Sequence, residues 1–142
     1  MIDHLLQGCL FFTANSLARV MTNMAENEFS ATGLAPHYAF IVMLVCEKPG
    51  ISQKEISEYL QLTPSTITRF VDKLEAKNLV KREMEGKTVL LNPTVEGKKT
   101  LPKIAKAWKC LYDRYSKVLG AKEGDTLTLK AWQATLKLEG KK

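Results

Sequence analysis

The strongest constraint on the fold is a pair of helix-start signals placed close together. In "SQKE", Ser52 to Glu55, the Ser52 hydroxyl can accept from the Glu55 amide while the Glu55 carboxylate reaches back, which makes a capping box. In "TP", Thr63 is a good N-cap, and Pro64 at the first helical position has no amide to leave unpaired. The first helix must therefore be short, with Ile56, Tyr59 and Leu60 as its apolar edge, and "QLTP" must be a tight turn. The second helix runs to about Lys77. Asn78, which tolerates the left-handed conformation, stops it. Along it Ile67, Phe70, Val71 and Leu74 recur at i, i+3, i+4 and i+7 and must pack inward.

Two short strands follow, "LVKREM" and "KTVLL", with Glu85 and Gly86 between them as a tight turn. Before the capped pair, the apolar spacing from Leu5 to Met24 predicts one long helix with a stripe wide enough for more than one neighbour. "NEFSATGLAP", Asn27 to Pro36, is expected to be a loop. A further helix begins near Pro36 and stops before "EKPG". After the strands, "NPTVEGKKTLPKIAKAWKCLYDRYSKVLG" reads as a long helix interrupted or kinked at Pro102, with Asn92 or Thr94 as its cap. Its apolar set is Val95, Ile104, Trp108, Leu111, Tyr115 and Val118. "AKEGD" is a break, after which Asp125 can cap a last helix carrying Leu129, Trp132, Leu136 and Leu138.

A length of 142 residues with no repeat or low-complexity segment predicts one domain. The net charge of +6 allows an anionic partner without requiring one. Three scattered cysteines, Cys9, Cys46 and Cys110, suit a reducing cytosol better than a disulfide framework. His4 and His37 have no Asp, Glu or Cys at metal-ligand spacing, so neither metal nor cofactor is expected. No basic segment leads into an apolar one at the N-terminus, and "YAFIVMLVC" is too short to span a bilayer. Neither a signal peptide nor a membrane partner is expected. No Ser-His-Asp or Cys-His arrangement, phosphate-binding glycine loop or apolar carboxylate pair supports an enzyme.

Two short helices joined by a tight turn and followed by a hairpin make a helix-turn-helix with a wing. The second helix leaves Ser65, Thr66, Thr68, Arg69, Asp72 and Lys73 outside. A lone helix with a polar outer face is ordinarily just solvated. Here its neighbours argue otherwise: the cap before it, the turn, the basic face and the hairpin all occur together. Hydroxyls and free amides at its first turn suit phosphates or base edges, and the forked Arg69 suits a guanine edge. Lys73, Lys81, Arg82 and Lys87 extend the positive surface toward a sugar-phosphate backbone. Asp72 is acidic beside that face and is expected to orient Arg69 or Lys73.

The stretch "ISQKEISEYLQLTPSTITRFVDKLEAKNLVKRE" resembles the DNA-binding core of the MarR family of bacterial transcriptional regulators. Within it, "TPSTITRFVDKLEAKNLVKR" is similar to the family's recognition helix and first wing strand. The resemblance implies a mainly α fold with a small β-hairpin. Residues 34–92 form the winged helix, and residues 1–28 and 95–142 supply dimerisation helices. It implies a cytoplasmic, homodimeric, sequence-specific regulator of palindromic double-stranded DNA, a repressor tuned by a small phenolic or lipophilic effector. The chain departs from the family at the wing. "EMEGKTVLL" is shorter than the family's loop and lacks its arginine, leaving Lys87 as the basic residue at the tip.

Phe12, Tyr38, Trp108 and Tyr112 are the candidates to line an effector pocket, although packing is the commoner fate of such side chains. "QGCLFF" is loosely similar to the family branch that senses organic hydroperoxides through a first-helix cysteine, which makes Cys9 a redox candidate. The bland reading of a cysteine among Leu6, Leu10 and Phe12 is an inert core residue. A winged helix that meets an acidic protein instead of DNA is the other alternative.

Overall fold

In the computed structural model, which describes residues 1–141, the chain divides into two compact units, Met1–Ala107 and the remainder from Trp108. The first unit opens with α1 (Ile2–Gln7) and α2 (Leu10–Phe29), followed by a 3-10 turn at Ser30–Thr32 and α3 (Pro36–Glu47). Next come β1 (Ile51–Ser52), α4 (Gln53–Leu60), α5 (Pro64–Ala76), β2 (Val80–Glu85), β3 (Thr88–Pro93) and α6 (Val95–Lys99). Helix α7 (Leu101–Leu119) begins in the first unit, and its later turns form the second together with α8 (Ala121–Leu138).

The three strands make one antiparallel sheet in the order β1-β3-β2. Ile51 pairs with Leu91, and β2 pairs with β3 from Val80–Pro93 out to Glu85–Thr88. The first unit has one apolar core. Ile41, Ile56, Ile67, Leu74, Leu91 and Ile104 are each completely removed from solvent. Burying a side chain of this size contributes about 1.5–3 kcal/mol.

Both predicted caps form. Ser52 Oγ accepts from the Glu55 amide at 3.1 Å, and Thr63 Oγ1 accepts from the Thr66 amide at 3.3 Å. Asn78 takes the left-handed conformation, φ +60°, just past the end of α5. The cap of α6 is Thr94, whose Oγ1 accepts from Gly97 N at 2.9 Å and donates to the Asn78 carbonyl at 2.7 Å. One hydroxyl thus joins the start of α6 to the end of α5.

Several boundaries differ from the sequence reading. The predicted first helix is two, because Gly8 ends α1 and Cys9 begins α2 in extended backbone. Helix α2 runs on into the first three residues of the predicted loop, to Phe29, whose ring is fully buried. The hairpin turn falls at Gly86 and Lys87, one residue later than expected. Gly86, φ +62°, stands at the first turn position, where a II′ turn requires glycine. Strand β1 has no sequence signature, since a two-residue strand is made only by its partner. The interruption expected at Pro102 does form: α6 ends at Lys99 and α7 begins at Leu101, with Pro102 in its first turn, where no amide is needed. Asp125 is not a cap: the break is Gly120, φ +89°, and α8 already covers Gly124 and Asp125. Of the apolar set expected on the long helix only Ile104 is fully buried, while Val95 and Val118 are largely exposed. Among the described residues no single helix is long and apolar enough to cross a membrane.

Gly97 marks the tightest backbone approach. A Cβ there would lie 2.1 Å from the Leu79 carbonyl oxygen, a backbone atom that cannot swing away. Gly97→Ala should therefore destabilise the protein by about 1–3 kcal/mol or more, read as a lower urea midpoint. An unchanged midpoint would mean that α6 does not press on the Leu79 backbone between α5 and β2.

Candidate nucleic-acid interface

Helix α5 is presented by its buried face. Ile67, Val71 and Leu74 are completely buried, so the remaining two-thirds of the helix must point outward. Phe70 sits at the edge of that face, with the Tyr38 ring 4.7 Å and the His37 ring 6.3 Å away. At thirteen residues α5 is roughly 20 Å long, and a helix of this kind fits a major groove about 12 Å wide.

The polar side chains of the outer face divide into spent and free. Thr66 Oγ1 lies 2.9 Å from Thr63 Oγ1, inside the cap. The Thr68 hydroxyl donates to the Pro64 carbonyl at 3.0 Å and accepts from Gln53 Nε2 at 3.3 Å. Thr68 is thus less available to a base edge than its exposure suggests. Ser65 is exposed, its Oγ 3.3 Å from Thr63 Oγ1. Arg69 is exposed and, among the described residues, makes no hydrogen bond or ion pair. The Lys73 ammonium lies over the Tyr38 ring at 5.9 Å.

Arg82 is not where the sequence reading placed it. Its side chain is only 23% exposed and is held by α4 and α5. Asp72 pairs with it at 2.7 Å, and so does not orient Arg69 or Lys73 as expected. Gln53 and Glu75, which take part in this cluster, were absent from the sequence reading. The period of two along β2 carries the missing signal: Val80 and Arg82 share a face, and Val80 is buried. The other wing cations, Lys81 and Lys87, are exposed. They share the hairpin with exposed Glu83 and Glu85, so the tip is not strongly positive.

Of the effector candidates, Phe12 is partly exposed on α2, and Tyr38 lines a cavity of about 290 Å³ with Leu34, Lys73, Leu74 and Lys77. Lys77 reaches the Gly33 carbonyl at its rim, 3.5 Å away. Trp108 and Tyr112 lie in the second unit. There the Tyr112 hydroxyl donates to Asp125 at 2.9 Å, which pushes its pKa up, and its ring packs edge-on against Tyr115. Cys9 is exposed at the start of α2 and is not the core residue expected, whereas Cys46 is partly buried.

Residues 37–85 match the profile of the MarR family. The matched segment runs from the first turn of α3 to the end of β2, so it contains the whole helix-turn-helix and its capped pair. Over that segment the chain is similar to the MarR family. The chain is also similar to the uncharacterized HTH-type transcriptional regulator YybA of Bacillus subtilis (strain 168), at 28% identity over 89 residues. That alignment covers 61% of this chain and 59% of YybA, so the chain matches under two-thirds of the relative's length. The fold is similar to the transcriptional repressor CouR bound to a 23-mer DNA duplex, with a TM-score of 0.85 at 20% identity over 95% of this chain and 97% of that one. It is also similar to CouR from Rhodococcus jostii RHA1 bound to p-coumaroyl-CoA, with a TM-score of 0.77 at 22% identity over 94% and 93% of the two chains. At these identities the likeness is one of fold.

Burial raises the Cys46 thiol pKa above its ordinary value, with Lys98 acting weakly the other way. Less thiolate is then present at neutral pH, and reactivity should rise with pH later than for an unperturbed thiol. In the native protein Cys9 should react with a thiol reagent before Cys46, as read by mass spectrometry of the labelled peptides. Labelling of Cys46 first would contradict both its burial and the direction of its shift.

Proposed function

We propose that this chain is a MarR-family regulator: a sequence-specific, duplex-DNA-binding transcriptional regulator that acts as a homodimer in the cytoplasm and carries out no catalysis. The observation that carries this reading is the free guanidinium of Arg69. Among the described residues it stands unpaired, exposed on the outer face of a helix whose inner face is locked in the core. An unpaired arginine on a fixed helix is set up for a forked contact to a guanine edge. Ser65 and Lys73 flank it, and Lys81 and Lys87 can meet phosphates from the wing. The DNA-bound CouR structure, which shares this fold, supports the same use of it.

The dimer follows from exposed apolar surface. Leu5, Leu10, Phe11 and Val20 on the first two helices, and Leu129 and Trp132 on α8, are each roughly half exposed or more. Apolar surface on this scale marks an interaction site. A second copy would cover it, and two copies would carry two recognition helices to the half-sites of a palindrome. A small effector would act by biasing the separation of those helices. The cavity beside Tyr38 and Lys73 touches the recognition helix and suits that role. The CouR complex with p-coumaroyl-CoA supports effector control of this fold.

Arg69→Ala should cost about 1–3 kcal/mol against a duplex selected from a random pool and flatten the preference for it. Preserved preference would move the readout elsewhere, and no salt-dependent binding to any duplex by the unaltered protein would favour a protein-interaction role. In sedimentation the protein should run at about twice its 15.9 kDa chain mass. Leu5→Glu with Leu10→Glu should lower that mass. A monomer before any substitution would leave the apolar helices to another partner.

A further inference from the structure

We propose that Arg82 is a positioning residue for DNA recognition: it fixes the peptide that carries Arg69 and makes no phosphate contact of its own. The proposal rests on the DNA-binding reading above and specifies how that site is held in shape.

All three guanidinium nitrogens are used. Nε donates to Gln53 Oε1 at 2.9 Å, Nη1 donates to Glu75 Oε1 at 3.2 Å, and Nη2 donates to the Thr68 carbonyl at 3.0 Å. Asp72 adds an ion pair to Nη1 at 2.7 Å. The Arg82 backbone amide donates to the second oxygen of Glu75 at 3.0 Å, so one carboxylate grips both the strand and the side chain. The contacts come from α4, α5 and β2 together, the three elements whose relative angles define the winged helix-turn-helix. A planar fork with fixed donor directions suits such a junction, and a lysine cannot reproduce it.

The contact to Thr68 matters most. The Thr68 carbonyl belongs to the peptide bond that joins Thr68 to Arg69. Nη2 therefore pins the backbone from which the free arginine springs. Gln53 closes the circuit: its carbonyl oxygen accepts from Arg82, and its amide donates to the Thr68 hydroxyl. Charge argues in the same direction. Asp72 and Glu75 together outweigh the single positive charge of Arg82, so the cluster as a whole repels a phosphate.

The test uses the full-length protein with two duplexes, one selected from a random pool and one scrambled, titrated by fluorescence anisotropy over a range of salt. Arg82→Ala and Arg82→Lys should each reduce the ratio of selected to scrambled affinity by about tenfold or more, with the salt slope unchanged. Failure of lysine to rescue marks the fork, not the charge, as the active feature. A slope lower by about one with the ratio intact would make Arg82 a phosphate contact and overturn the proposal. Equal loss on both duplexes with a lower melting temperature would make it merely structural and also overturn it. Gln53→Ala, which leaves the ion pairs in place, guards against an unfolded Arg82 variant and should lower the ratio in the same direction. An unchanged ratio in Gln53→Ala would count against the proposal. If the unaltered protein shows no salt-dependent binding, the DNA-binding reading fails before any variant is compared.

Discussion

The burial of one face of α5 is the constraint on which the rest of the structure depends. Ile67, Val71 and Leu74 leave no surface in water, so the helix cannot roll. The direction of every outer side chain follows from that. A helix free to rotate by one position would turn Arg69 aside and bring Phe70 out. The caps at Ser52 and Thr63 are smaller effects, about 1 kcal/mol each. They decide where α4 and α5 begin, and so where the core stripe starts.

With the helix immobilised, its polar groups take two different fates. Thr66, Thr68, Asp72 and Glu75 are engaged within the protein, while Arg69 is not. Two arginines of the same segment thus do opposite things. A half-exposed ion pair such as Asp72–Arg82 stabilises by no more than about 1 kcal/mol on its own. Its significance is geometric, because the guanidinium joins three elements at one point. The short wing fits the same picture, since Glu83 and Glu85 beside Lys87 leave its tip weakly charged. Discrimination between sequences then falls on α5.

Much of this was legible in the residues. The capping box, the Thr-Pro start, the left-handed Asn78 and the inward stripe of α5 all obey local rules, and each formed as expected. The break between α1 and α2 did not show, because Cys9 and Leu10 continue the apolar spacing across it. Strand β1 did not show either, being two residues made regular only by β3. The start of α8 was misplaced because Gly124 looks like a breaker, yet it lies buried inside the helix beside Tyr115.

By itself the sequence determined where α4 and α5 start and stop, and which face of α5 is apolar. These depend on neighbours a few residues away, through caps and the helical period. Only the tertiary structure decided which arginine is free. Arg69 and Arg82 are equally basic as letters, but Arg82 shares the inward register of Val80 and meets Gln53, Thr68, Asp72 and Glu75 from two other elements. Such a meeting depends on long-range packing, which no local spacing encodes.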